Sequence, residues 1–311
     1  MRSIFNKLAR AILVRLLFFL PRSERVRFER RWRGKEEFRK LANSDFVVVS
    51  FGKSGRTWLR VLLSRFFQLR FGLSERHLIG FDNLHRKNRA IPRIFFTHDN
   101  YLKDFTGNAD SKADFYNKKV VLLVRNPCDI AVSQFFQWKY RMRPAKKTLN
   151  QYPEHEADVE VFDFVMDEDA GLPKIIGFLN LWASEAPKLG DLLVVRYEDL
   201  RSDTDATLRR ILEFMGQEPS ADELAESVSF ASVENMRKME QKKVFWMSGG
   251  RMTPKDKSNP HSYKVRRAKV GGYRDYFSDE EAARLDKMVA DRLLPGFGYG
   301  DQADTPRAAQ A

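Results

Sequence analysis

Lys53 lies in a short turn, Phe51-Gly52-Lys53-Ser54-Gly55-Arg56-Thr57, between an apolar run and a helical pattern. Such a turn can aim several backbone N–H groups and a helix N-terminus at one anion, and a lysine inside it adds a full positive charge. It would equally serve as a plain strand-to-helix connection that uses glycine only for geometry. Arg125 follows a second apolar run and precedes Asn126-Pro127, with Ser133 eight residues on. A guanidinium there is placed to grip phosphate in a bidentate manner, unless it pairs with Asp129 instead. His98 closes the segment Arg93 to His98, RIFFTH, and a histidine at the carboxyl end of a strand near an anion site is a candidate acid or base. The other four histidines, His77, His85, His155 and His261, sit in polar segments without the pairing a metal site requires.

These residues need elements to hold them. Phe46 to Val49, FVVV, reads as a buried parallel strand, because an apolar β-branched run without alternation suits a sheet covered on both faces. From Trp58 on, Leu59, Leu62, Leu63, Phe66 and Phe67 recur at helical spacing. Val120 to Val124 and Leu192 to Arg196 give further strands, the first followed by a helix from about Asp129. Residues 139–160 are polar and read as a mobile loop; VFDFVM (161–166), KIIGFLNLWASEA (174–186), TLRRILEFM (207–215), 220–240 and 279–294 read as helices. Residues 248–267 read as a loop that orders on binding. Strands alternating with helices predict an α/β domain around a parallel sheet, here 41–300, with a small polar tail at 301–311 expected to be disordered.

Charge divides the chain unevenly. The net charge is +13, and residues 1–40 hold 13 Lys or Arg against four Glu, so that segment carries +9 of it. The body is not a strongly basic surface and lacks zinc-finger or RNA-binding signatures, which argues against a nucleic-acid partner. Residues 4–20 are apolar but interrupted by Lys7, Arg10 and Arg15, so they predict an interfacial helix rather than a bilayer span. With the polybasic stretch that follows, 1–40 is expected to be an amphipathic anchor on an anionic membrane surface; packing on the protein's own body is the alternative. The single cysteine, Cys128, excludes an internal disulfide and a cysteine metal cluster and fits a reducing compartment. The expected location is cytoplasmic, peripheral on the cytoplasmic face of a membrane.

Taken together the motifs resemble the sulfotransferase family that uses 3′-phosphoadenosine 5′-phosphosulfate (PAPS), from about Phe46 to Leu294. GKSGRTW (52–58) resembles the family's 5′-phosphosulfate loop, RNPCDIAVS (125–133) its 3′-phosphate motif, and RYEDL (196–200) the segment whose tyrosine approaches adenine. RRAKVGGYRDYF (266–277) is similar to the closing signature, and Thr97-His98 occupies the place of the catalytic base. The resemblance implies a P-loop-like three-layer fold, a central parallel sheet flanked by helices. It implies that Lys53 assists the leaving phosphate, that Ser54, Gly55, Arg56 and Thr57 hold it, and that His98 takes a proton from the acceptor hydroxyl. Trp58 would stack on adenine beside Tyr197, and Arg125, Ser133, Arg266 and Arg267 would bind the 3′-phosphate. PAPS is the implied cosubstrate, released as 3′-phosphoadenosine 5′-phosphate (PAP), and the scheme requires no metal. The expected acceptor is a hydroxyl-bearing glycan, glycolipid or small molecule.

The sequence departs from the family pattern at three positions. Phe96 stands where cytosolic members carry a lysine, Arg56 replaces a threonine, and Ala268 replaces a glycine. Two alternatives are weighed beside the enzyme: a P-loop kinase, whose GxxxxGK[ST] spacing is missing here, and a nucleotide-binding, membrane-associated protein of the same fold without turnover.

Overall fold

The computed structural model describes residues 17–245 and 252–300. Four parallel strands, β1 (Phe46–Val49), β2 (Ile94–Thr97), β3 (Lys119–Val124) and β4 (Asp191–Arg196), form one sheet in the order β2-β1-β3-β4. Val47 pairs in register with Phe95 on one side and Val120 on the other, and β3 runs alongside β4 from Lys119 against Asp191 to Val124 against Arg196. Among the described residues the helices of ten residues or more are α1 (Arg22–Ala42), α2 (Arg56–Arg70), α3 (Pro127–Tyr140), α4 (Leu172–Glu185), α5 (Thr204–Phe214), α6 (Ala221–Phe230), α7 (Val233–Lys242) and α8 (Asp279–Arg292).

Successive side chains of a strand point to opposite faces, so each strand feeds two cores. Val47, Val49, Val120, Leu122 and Val124 face a cluster built with Phe135 of α3, Ile175, Leu179 and Trp182 of α4, and Leu285 of α8. Phe46, Val48, Val121, Leu123 and Val195 face Leu59, Leu62, Leu63 and Phe66 of α2, with Leu208 and Ile211 of α5 and Leu224 of α6. Helices therefore cover both faces, giving the three-layer α/β fold expected from the unbroken apolar strands. The chain leaves β1 for β2 on one side and leaves β3 for β4 on the other. The carboxyl ends of adjacent β1 and β3 thus open a crevice where connections diverge, which is where ligands sit in open α/β sheets.

Tertiary packing moved several boundaries. Residues 139–160, expected to be a mobile loop, include the helical turn Pro144–Leu149, with Lys147 and Leu149 each only 2% exposed. Trp138 donates its indole N–H to Pro153 O at 2.9 Å, and Lys147 Nζ lies 4.5 Å from the Trp138 ring centroid, so an aromatic anchor holds a locally polar segment. The stretch 220–240 splits into α6 and α7, because Ser232 caps the second helix by accepting from Asn235 N. α3 begins at Pro127 rather than Asp129, since Asn126 Oδ1 accepts from Cys128 N and Asp129 N.

α1 packs on the body. Arg30 makes a two-pronged bond to Asp104 at 3.0 Å and donates to Leu149 O and Asn100 O. At Gly34 an added Cβ would meet Tyr101 O at 2.3 Å, so the helix touches the body backbone closely there. Among the described residues no helix is long and apolar enough to cross a membrane. The expected interfacial helix before Leu17, the start of the 248–267 loop and the 301–311 tail lie outside the described residues.

Candidate active site

The loop after β1 makes the floor of the crevice. Lys53 has φ +76° and Gly55 φ +93°, so the backbone bends through left-handed conformations just before α2 begins at Arg56. Bends of this kind turn successive N–H groups to one side and form an anion-binding concavity. Gly55 is required there twice over, because an added Cβ would also stand 2.6 Å from Tyr197 Cδ2. A cleft of about 510 Å³ opens above the loop and is lined by Lys53, Gly55, Arg56, Thr57, Trp58, His98, Arg125, Ser133, Tyr197, Arg266 and Arg267. Of the expected site residues, Ser54 alone does not line it: its side chain is 1% exposed, and Oγ has no hydrogen-bond partner among the described residues.

One end of the cleft suits a second anion beside a flat ring. Arg125 donates to Lys53 O at 3.2 Å and to Lys269 O at 3.1 Å, pairs with Asp129 at 3.2 Å, and lies 4.3 Å from the Tyr197 ring centroid. Asp129 is both the expected partner of Arg125 and a tie across the molecule, since it accepts from Gly271 N and Tyr273 N. It thereby fastens the segment carrying Arg266 and Arg267 to the start of α3. Arg266 packs 3.8 Å from the Phe136 ring centroid and donates to Tyr276 OH, whereas Arg267 reaches the rim and pairs with Asp275. Trp58 meets Tyr197 edge-on at 5.9 Å. Ala268 has φ +54°, the conformation a glycine adopts freely. We expect Ala268→Gly to relieve that strain and stabilise the fold by about 1 kcal/mol or less, after the entropy glycine adds to the unfolded chain. Urea unfolding checks this; a destabilised variant would mean that the methyl group packs for a purpose.

At the other end, His98 Nδ1 lies 2.8 Å from Ser50 O. A carbonyl only accepts, so Nδ1 carries the proton and Nε2 presents its lone pair toward the cleft. That lone pair faces Arg56 Nη2 at 2.5 Å. Burial, then the Arg56 charge, hold the imidazole pKa well below its usual range, so His98 is neutral at neutral pH, with its one proton on Nδ1. The cation that Phe96 removes from the floor is not simply lost. Phe96 faces the α2 core, and Arg60 lies 3.8 Å from its ring centroid while also lining the cleft.

Cations crowd the cleft. Burial, then Arg141, Arg266 and Arg125, lower Lys53 to about 7. Burial, then Lys53 and Arg141, hold Lys264 well below the usual lysine range. Glu240, wholly buried, pairs with Arg141 at 3.3 Å and accepts from Lys264 N and Val265 N. Repulsion among so many cations is relieved when a polyanion arrives, so the residues present fit a ligand with two phosphate-like ends and a planar base. Among the described residues no group of three His, Cys, Asp or Glu is placed to hold a metal ion.

A model of the sulfotransferase domain matches residues 43–297, more than half of the chain. The chain belongs to the sulfotransferase family. It is 24% identical over 274 residues to sulfotransferase 2A6 of Rattus norvegicus, covering 84% of this chain and 88% of the relative. It is 23% identical over 280 residues to flavonol 3-sulfotransferase of Flaveria bidentis, covering 83% and 84%. Its fold matches mouse sulfotransferase SULT7A1 in complex with PAP, with TM-score 0.55, 20% identity and coverage of 84% of this chain and 90% of that one. It also matches retinol dehydratase in a complex with retinol and PAP, with TM-score 0.55, 17% identity and coverage of 83% and 86%. The cleft of this sulfotransferase is also lined by residues that motif spacing did not single out, namely Arg60, Arg141, Lys146 and Lys264. Lys264 stood two residues before Arg266 in a basic run, a weak signal; Arg141 and Glu240 carried none, because their partners are about 100 residues away.

Proposed function

We propose that this sulfotransferase moves a sulfuryl group from PAPS to a hydroxyl of a glycan or glycolipid, with His98 as the base. The supporting observation is that one cleft gathers the left-handed Lys53–Gly55 cradle, the Arg125 and Arg266 side, and His98 Nε2. PAPS supplies the sulfuryl group and a good leaving phosphate. The loop N–H groups, Thr57 and Lys53 hold the 5′ end and neutralise charge on the departing oxygen. Arg125, Ser133, Arg266 and Arg267 hold the 3′-phosphate, while Trp58 and Tyr197 flank the adenine. The acceptor oxygen forms its bond to sulfur as the bond from sulfur to phosphate oxygen breaks, and the acceptor proton passes to His98 Nε2. Arg56 must withdraw from Nε2 for that transfer, and the incoming anion gives its guanidinium another partner.

The relatives' names include hydroxysteroid and flavonol sulfotransferases, which favours a ring-borne hydroxyl. A saccharide acceptor is supported by Arg143, Lys146, Asn100, Asn150 and Tyr152, which line the cleft beyond His98 with charge, amides and one aromatic face. Phe18 and Phe19, 77% and 69% exposed, precede the arginine-rich α1, a pairing that suits the cytoplasmic face of an anionic membrane. The full chain with PAPS labelled in the sulfate is expected to label members of a panel of glycans, glycolipids and hydroxylated small molecules. Labelling of the small molecules alone would remove the saccharide assignment. Nucleotide binding with no labelled product would favour the non-catalytic alternative, for which Arg56 over Nε2 is the supporting contact.

A further inference from the structure

A second cavity of about 280 Å³ continues from the catalytic cleft. Phe51, Asn100, Asn150 and Tyr152 line both, so the two spaces share a wall, and that wall adjoins His98 in sequence at Asn100 and its partner Ser50 at Phe51. The cavity has an apolar side made by Phe178 and Leu181 of α4. Arg30, Lys103, Lys112 and Lys174 also line it, Lys174 from the same helix one turn before Phe178. Two of these cations are already neutralised: Arg30 by Asp104 at 3.0 Å and Lys112 by buried Asp99 at 2.6 Å. Lys174 is different. Its ammonium donates to two carbonyls, Asn150 O and Asp169 O, and stands 5.0 Å from the Tyr152 ring centroid. Burial, opposed by Asp169 and reinforced by Arg30 and Lys103, lowers Lys174 to about 8. Lys103 is exposed at the mouth, and neither lysine forms an ion pair among the described residues. Lys174 thus has carbonyl oxygens as its hydrogen-bond partners and carboxylates only at a distance, and an ammonium so placed in a half-apolar cavity is stabilised when an anion enters.

We infer that this second cavity is an acceptor subsite for an anionic group, a carboxylate or phosphate, held by Lys103 and Lys174 while the acceptor's hydroxyl faces His98. The inference rests on the transfer function proposed above and narrows its acceptor to one with an acidic substituent beside an apolar ring face. Neither lysine lies in the PAPS-binding part of the cleft, so their effect is separable from nucleotide affinity.

The test uses the full chain saturated with PAP and measures binding of three matched pairs by calorimetry: phenol and 4-hydroxybenzoate, 2-naphthol and 6-hydroxy-2-naphthoate, and 4-phenylphenol and 4′-hydroxybiphenyl-4-carboxylate. The pairs differ in carboxylate alone and span increasing lengths. At the best length the acid is expected to bind at least about tenfold tighter than its neutral partner, as for one charge-assisted contact. In Lys103→Gln with Lys174→Gln that preference falls toward unity while PAP affinity is unchanged. Lys103→Glu, a surface change that spares the fold, reverses the preference. Equal binding in all three pairs, or a preference that survives in the double variant, would overturn the subsite. Failure of the transfer function shows separately, as loss of PAP binding or absence of labelled product from PAPS.

Discussion

His98→Ala is expected to lower sulfuryl transfer by about 10²- to 10⁴-fold, the usual worth of a positioned general base, while PAP affinity stays unchanged. The separation follows from geometry: His98 is tied to Ser50 O and faces Arg56, whereas the nucleotide groups are assigned to Lys53, Arg125 and the Arg266 segment. Arg56 tunes the same group. Burial and the Arg56 charge both disfavour imidazolium, so His98 stays neutral down to acidic pH. Arg56→Thr removes one of the two, raises the imidazole pKa toward its ordinary value of about 6.5, and should move the acidic limb of the kcat profile to higher pH. A limb that stays in place, or an alanine variant with near-normal turnover, removes His98 as the base.

Lys53→Met should weaken PAP binding and slow transfer together. Removing one partner of a buried charge pair costs about 2–5 kcal/mol, and losing a donor aimed at developing charge lowers kcat by about 10²- to 10³-fold. A second readout is independent of turnover. Burial and the neighbouring arginines lower Lys53 to about 7, so in the open cleft it is about half protonated at neutral pH. Bound phosphate favours the ammonium and raises that pKa. Binding therefore takes up protons near pH 7 and weakens as pH rises through and above 7. Titration calorimetry in buffers of different ionisation enthalpy should register the uptake, and Lys53→Met should reduce it. Proton release, or uptake unchanged in the variant, would count against Lys53 as the phosphate-facing cation.

What could be read from sequence was what local chemistry fixes. Unbroken apolar runs marked the strands, most clearly the central β1 and β3, because a parallel strand buried on both faces has no polar side to alternate with. The glycine-flanked Lys53, the strand-ending His98 and Arg125 followed a register that a β–turn–α unit imposes within a few residues. Even Ala268, noted as a break in the pattern, proved to take a left-handed backbone, the conformation a glycine adopts freely.

Contacts between distant segments had no such signature. Asp129 looked like a helix-start carboxylate, and only folding brought Gly271 N and Tyr273 N to it. Phe96 looked like a missing cation until Arg60 came to lie over its ring. The segment 139–160 looked mobile because polarity is local, whereas the anchoring of Trp138 is not. The sequence by itself located the glycine-flanked Lys53 turn, the strand-ending His98 and the order of the sheet's strands along the chain. The tertiary structure decided how many cations surround that turn, that Arg56 faces His98 Nε2, and that a second basic cavity adjoins the cleft. The physical reason is the range of the forces. Hydrogen-bonded backbone geometry is written over a few neighbouring residues, while charge density in a cleft depends on side chains that meet across more than a hundred.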